Sequence, residues 1–568
     1  VVTACIGAAN FKQAGTNFVD SILVGTNTTG TLDTATCNVG VGVLALSSIT
    51  SGCENVVMGH KTGHCITTAR QNTFLGHHSG CLTSTGDQNT AIGTRAMASN
   101  TTGHRNIAIG YRALAANVCC ADNIVIGHQA LEQVSQSKSH IAIGNSVMRS
   151  ADAGSEYNIG IGGNALCGNT TGSYNVAIGN GSMFNLTTGS NNVALGYNTL
   201  YHGTTYRDNF ALGSCTMCCV TGSYNIAIGN SNMRTASTAE KNIAIGYLAL
   251  NAATTASCNT SIGFESLKST TTGFSNVAIG HQALRQGTTN SCNTAIGTSA
   301  GRNNTNTENT FIGFEAGCNN QCGSNVYVGS RAGKNSAGNS QNNTIIGRSA
   351  FENGRGSYNV VLGRQSLHST GQSQNYNVAV GFQVLCKNTT SNNTAVGSQS
   401  GFSNTTGTIT AVGFNSLYNN TTGTNNTAIG TYTLTANTTG NNNTAVGYES
   451  LKANTTGIRN VAIGTYALTA NTTGTHNTAL GYAALQDNTI GLMNTAIGDY
   501  ALRVNTTGTC NVAIGKSALY ANTTGTHNAA VGYSALSGNT TGIRNTAIGA
   551  CALITNTIGI CNTAIGFG

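Results

Sequence analysis

The chain has 568 residues, of which only 7% are charged, with 25 Lys and Arg against 17 Asp and Glu for a formal charge of +8. The basic residues form no run, which excludes a nucleic-acid footprint, and no apolar stretch approaches the roughly 18 residues of a membrane-spanning helix, so neither nucleic acid nor membrane insertion is expected of this segment. Pro and Trp are absent, whereas Gly numbers 74 and Cys 19; a chain that excludes Pro is one whose backbone N–H groups are needed throughout for ladder hydrogen bonds.

Taken in chain order, residues 1–37 carry degenerate copies of a short phrase, marked by Gly7 and Gly25. Residues 38–392 carry irregular but unbroken copies, and residues 393–568 highly regular ones. In its cleanest form the phrase is Asn-Thr-Ala-Ile-Gly, two variable residues, Ala-Leu, two variable residues, Asn-Thr-Thr-Gly, and it returns about every 17 residues. A fixed period of this length with nothing interposed is the mark of a solenoid. The predicted fold is therefore all-β: one continuous parallel β-solenoid (β-roll) of about 33 coils. Gly twice per coil and dense β-branching exclude a helical repeat.

Within the coil that starts at Asn494, Thr495-Ala496-Ile497 reads as a short strand with one branched and one small face. Gly498 suits a corner that needs positive φ or close backbone approach. Leu502 marks a second apolar position, where other coils place Met97, Met148, Met183, Met217 and Met233. The Asn505-Thr506-Thr507-Gly508 phrase predicts another corner, because Asn and Gly tolerate left-handed conformations. The expected core is thus Ile497 with Leu502, Ile514 with Leu519, and Ile548 with Leu553. Such a core is thin, and the small-residue stripe that includes Ala479, Ala496, Ala513 and Ala530 is the expected place for a second copy to approach. Scarce charge follows from stacking: like charges about 4.8 Å apart repel by roughly 0.9 kcal/mol even in water. Asn and Thr escape that repulsion and hydrogen-bond along their own ladders.

The Asn-Thr-Ala-Ile-Gly phrase followed by Ala-Leu resembles the head repeats of YadA-like trimeric autotransporter adhesins. With the Asn-Thr-Thr-Gly phrase added, the repeat is more similar still to those of bacteriophage and other viral tail-fibre proteins. The match spans essentially the whole chain, most faithfully from Asn393 to Gly568 and more loosely before Asn55. The resemblance implies a homotrimeric fibre of three chains wound about one axis, extracellular or on a virion surface. A cell-surface or polysaccharide receptor would then be met by parts outside this segment. The coil is longer than the autotransporter repeat, and no coiled-coil stalk or membrane anchor is seen. A chain that starts without Met and stops in mid-coil is expected to be part of a longer polypeptide.

The chemistry points away from an enzyme. Beyond Glu352 the only acids are Glu449, Asp487 and Asp499, too few for a glycosidase pair of the tailspike-depolymerase kind. Asp122, Glu132, Asp152 and Glu156 fall at variable positions read as surface. No phosphate loop, nucleophile elbow or zinc-protease motif occurs, and no cofactor is expected. Cys37 with Cys53, and Cys65 with Cys81, lie about one coil apart and are candidate disulfides, free thiols in small niches being the alternative. One cluster has metal-ligand character: His60 and His77 share a coil position, as do His64 and Cys81, with Cys65 and His78 adjacent. Scattered surface polar residues are the plainer reading of it. The repeated Asn-Thr-Thr is also an N-glycosylation acceptor, although its turn role already accounts for its recurrence.

Three functions are compatible with these features. The chain is first a structural shaft of an extracellular or virion-surface fibre, giving reach, stiffness and surface attachment. The alternatives are a repetitive ice- or polysaccharide-binding face built on Thr rows, and the depolymerase that the acid count disfavours.

Overall fold

A computed structural model describes residues 3–568 except 7–8, 16, 26–28, 137, 152–153, 337 and 370–373, with side chains from Asn17 onward. Gly7 and Asp152 therefore lie outside the described residues. The chain divides into two units, Val1–Thr289 and Asn290–Gly568. Both are parallel β-solenoids with a period of about 17 residues, carrying about 32 turns between them, and no helix occurs among the described residues. The regular repeats of 393–568 fall within the second unit.

The first unit does not open with the degenerate coils that the spacing predicts. Thr3–Ile6, Ala9–Gly15 and Phe18–Val24 pair antiparallel in sequence. Phe18–Val24 then pairs in parallel with Ala35–Thr36 and Val39–Val41, and coil stacking proper starts there. From Val39–Val41 to Val277–Ile279 each strand lies in parallel register on its predecessor. The second unit is parallel from Thr294–Ile296 to Thr563–Ile565.

A coil of the second unit shows how the phrase folds. In the strand Thr495–Ile497, Ala496 pairs with Ala513, and Thr495 and Ile497 pair with Val512 and Ile514. Side chains alternate across a strand, and here the small face is the inner one: Ala496, Ala501 and Leu502 are fully buried. The expected core is half corrected. Leu502 and Leu519 are inside, and Leu553, in the last full coil, is half-buried. Ile497 is only half-buried, while Ile514 and Ile548 are 38% and 43% exposed. The Ala stripe thus faces its own coil and is not open to a neighbouring chain.

The reason is width. The strand and the Leu turn of one coil face each other across a gap that holds an Ala and a Leu. Where the inner strand position carries an aromatic ring, the facing position becomes Gly. A Cβ on Gly80 would meet the Phe74 ring at 2.4 Å, one on Gly317 would meet Phe311 at 2.3 Å, and one on Gly333 would meet Tyr327 at 2.4 Å. In these three coils a ring on the strand takes the space that Leu fills elsewhere, as close packing demands.

The turns depend on an alternation of right- and left-handed residues. Met493, Tyr500 and Leu502 all have positive φ (59°, 58° and 50°), a conformation that costs roughly 1–2 kcal/mol per non-Gly residue. Each is held by a ladder bond. The N–H groups of Met493 and Tyr500 donate back to Thr475 and Tyr482 at 3.0 and 2.8 Å, and that of Leu502 donates forward to Ala518 at 2.9 Å. Gly498 combines φ of 127° with contact so close that a Cβ would lie 2.7 Å from the carbonyl carbon of Gly515. Gly508, by contrast, is required for space and not for left-handed backbone, contrary to the sequence reading: a Cβ there would meet the Asn505 Oδ1 at 2.4 Å.

Two Asn ladders run along the interior. Asn494 donates Nδ2 to Asn477 Oδ1 at 3.2 Å and to the Gly508 carbonyl at 2.8 Å. Asn505 donates Nδ2 to Asn488 Oδ1 at 2.8 Å and to the same Gly508 carbonyl at 3.0 Å. The Thr at the start of each Thr pair forms a third ladder, with Thr472, Thr489, Thr506 and Thr523 each donating Oγ1 to the carbonyl one coil on.

Candidate functional site

Three surface features go beyond what the coil needs for its own closure. The first is apolar. Because the Ala face is internal, the residues at both ends of each strand are turned outward in register: the last is Ile, Val, Leu or Met, and the first is Val, Ile or Phe in many coils of the first unit and mostly Thr in the second. In the first unit this row includes Val56 at 45% and Met58 at 48% exposure, with Leu75, Ile124, Ile126 and Leu212. In the second it includes Ile312, Ile346, Ile429, Leu480, Ile514 and Val531. Single exposed apolar residues need no explanation, but contiguous patches mark contact surfaces.

The second feature is aromatic. In the second unit Phe414, Tyr432, Tyr448, Tyr466, Tyr482 and Tyr500 alternate between the first and second residues after the corner Gly. Their rings pack edge to face, with centroids 5.3, 6.4, 5.6, 6.0 and 5.2 Å apart, a favourable quadrupole arrangement. Lys452 and Arg503 cover the Tyr432 and Tyr500 rings, each at 5.5 Å. Glu449 beside it raises the Tyr448 hydroxyl pKa, and burial followed by Tyr482 raises that of Tyr500.

The third feature is the sequence-predicted metal cluster, which the fold splits. His60, His77 and His78 converge, with ring centroids 5.3, 5.6 and 4.3 Å apart and a ring nitrogen of each within 4.8 Å of the others. Burial, then His77, Lys61 and His60, hold the His78 pKa below its usual value. His64 is drawn away, with its Nδ1 at 2.5 Å from Ser47 Oγ. Cys65 and Cys81 are neighbours through a backbone bond of 3.0 Å but do not join the imidazoles as ligands. Burial raises both thiol pKa values. His78 and Cys81 do line one groove of about 430 Å³ with Arg95, Ser99, Arg112 and Glu132.

Compared with protein-family models and with curated proteins, the chain matches none.

The candidate disulfide residues Cys37, Cys53, Cys65 and Cys81 are free thiols. Among the acids, Glu132 is not a surface residue: it is 5% exposed, between Arg112 at 2.8 Å and Arg149 at 3.2 Å. Asp122 pairs with Arg105 at 2.6 Å and Glu156 with Lys138 at 3.1 Å. Each pair bridges successive coils and works as a clamp. A second cluster was missed by sequence reasoning: His202, Cys218 and Cys219 bring their donor atoms within 4.8 Å of one another. The signal was available, since His202 and Cys219 share a coil position and Cys218 adjoins it.

Proposed function

We propose that the chain is the structural shaft of an extracellular or virion-surface fibre, tail-fibre-like or adhesin-like, in which three copies associate along their length. The observation that carries this reading is the outward row of Ile, Val, Leu and Met at the strand ends, repeated in both units. A row of this kind gains stability when covered, at roughly 25 cal/mol per Å² of apolar surface removed from water. A second copy of the same chain presents the same period and therefore the same spacing of contacts. Lateral association on this face replaces the association first expected on the Ala stripe. The three-fold number rests on the repeat's resemblance to trimeric fibre proteins.

Native mass measurement tests the reading, with electron microscopy of the same sample. A species of three chains, each 57.8 kDa, seen as a thin filament, is the expected result. A folded single chain with no tendency to associate overturns it.

A repetitive ligand-binding face has one observation in its favour. The second Thr of each pair, at Thr456, Thr473, Thr507, Thr524 and Thr541, is exposed in register. Ile490 interrupts that row, and the neighbouring Thr hydroxyls are already committed to ladder bonds. This leaves a single broken row, a weaker basis than the apolar face.

A further inference from the structure

We propose that His202, Cys218 and Cys219 form a surface binding site for a thiophilic divalent cation, with Zn(II) the best fit. The site joins two consecutive coils, those of the strands Val193–Leu195 and Phe210–Leu212. The His202 N–H donates to the Cys218 carbonyl at 2.8 Å, so the ladder itself fixes the spacing between the two sets of ligands. One ring nitrogen and the two Sγ atoms already lie within 4.8 Å of one another. A tetrahedral zinc with bonds of about 2.3 Å to sulfur and about 2.0–2.1 Å to nitrogen needs donors about 3.5–3.8 Å apart. Side-chain rotation of about 1 Å closes that gap without moving the backbone.

The surroundings suit such an ion. The Tyr201 ring meets the His202 imidazole edge-on at 4.6 Å and is itself stacked on Phe184 at 5.0 Å, so an aromatic column orients the nitrogen ligand. Two thiolates and a neutral imidazole balance the double positive charge. Cys219 and His202 are exposed and Cys218 is half-buried, which leaves a fourth position open to water. Binding displaces one proton from each Sγ, two per ion, and no electron is transferred. Because both Sγ atoms must lose a proton for the ion to bind, uptake strengthens as pH rises. The other three-donor group among the described residues, His60, His77 and His78, offers no thiolate and has Lys61 and Arg95 acting on His78. The adjacent thiols Cys119 and Cys120 belong to neither three-donor group and provide an internal control.

The test is a Co(II) titration of the reduced, metal-free full chain under anaerobic conditions. The expected result is a thiolate-to-metal charge-transfer absorption that saturates at one equivalent and is bleached by Zn(II). His202→Ala should lower Zn(II) affinity by at least about tenfold in competition with a chromophoric chelator. The double variant Cys218→Ser/Cys219→Ser should lose the absorption, while Cys119→Ser/Cys120→Ser should keep it, all with unchanged β-type circular dichroism. Absorption that survives in the first double variant overturns the proposal. So does its absence from the unaltered chain when a thiol assay shows both cysteines reduced. The His60 cluster cannot mimic the signal, because imidazole alone gives no thiolate band.

Discussion

The Asn477 side-chain carbonyl accepts two hydrogen bonds from Asn494, one from the backbone N–H at 3.0 Å and one from Nδ2 at 3.2 Å. Both residues are fully buried. Asn is suited to this position because it offers an acceptor to the coil ahead while donating to the coil behind and across to Gly508. A buried amide with every group paired holds register firmly, whereas one left half-paired is costly.

Asn494→Asp removes both Nδ2 donations and places a carboxylate against the Asn477 and Gly508 carbonyls. It should destabilise the coils around it by about 2–4 kcal/mol. Hydrogen exchange should show lost protection centred on Thr478–Leu480 and Thr495–Ile497. Thr507→Asp, at an exposed site of the same coil, should change stability by less than about 0.5 kcal/mol.

The inverted strand faces give a paired test. Ala496→Gln forces a long polar side chain into a gap already filled by Ala501 and Leu502, and should unfold the coil at a cost of about 3 kcal/mol or more. Ile514→Asp should leave the coil folded, as judged by circular dichroism and melting, and weaken self-association in sedimentation. Unfolding by Ile514→Asp together with tolerance of Ala496→Gln would restore the original inside-outside assignment.

Gly498→Ala combines φ of 127° with a Cβ 2.7 Å from the Gly515 carbonyl carbon. Backbone strain and overlap together should cost at least about 3 kcal/mol in thermal unfolding. Gly568→Ala, where a Cβ meets nothing within 4 Å, should be silent.

His140 stands where other coils have the ladder Asn. Its N–H donates to Asn123 Oδ1 at 3.0 Å, and its Nδ1 accepts the Asn158 N–H at 3.1 Å. Nε2 therefore carries the proton, which faces Ser155 Oγ at 3.3 Å. Burial depresses this imidazole to about 4, with Glu156 the one charged group acting against the shift, while an unfolded His titrates near about 6.5. A depressed folded value means that the stabilising contribution is complete above about 6.5 and is lost as pH falls through about 4. Exchange protection of Ile124–Ile126, Ile141–Ile143 and Ile159–Ile161 should decline over that window. His140→Asn, which restores the ladder amide, should abolish the decline.

Much of the coil was legible because the same constraint recurs in every repeat. Gly before the first turn, Leu at the second apolar position and Asn in ladders each have a physical cause that recurs in every coil or between each coil and the next. The direction of the strand was harder to read. Ala496 and Ile497 are both apolar, and ranking by size alone sends Ile inward. The correct signal was internal covariation: Phe74 with Gly80, Phe311 with Gly317 and Tyr327 with Gly333 trade volume across the interior. Exchange of that kind occurs only between residues that face each other. The left-handed Leu502 was not legible, because nothing in a Leu side chain announces positive φ; the ladder bond to Ala518 imposes it.

By itself the sequence determined the period, the all-β solenoid and the corner positions, since periodicity and the absence of Pro permit little else. Tertiary structure alone decided how far Ile514 and Ile548 stand exposed, that Leu502 takes positive φ, and that His64 turns to Ser47. The physical reason is that coil closure sets the width of the interior and the stacking register sets which side chains meet. Both are properties of neighbouring coils packed together, and neither is a property of any single repeat.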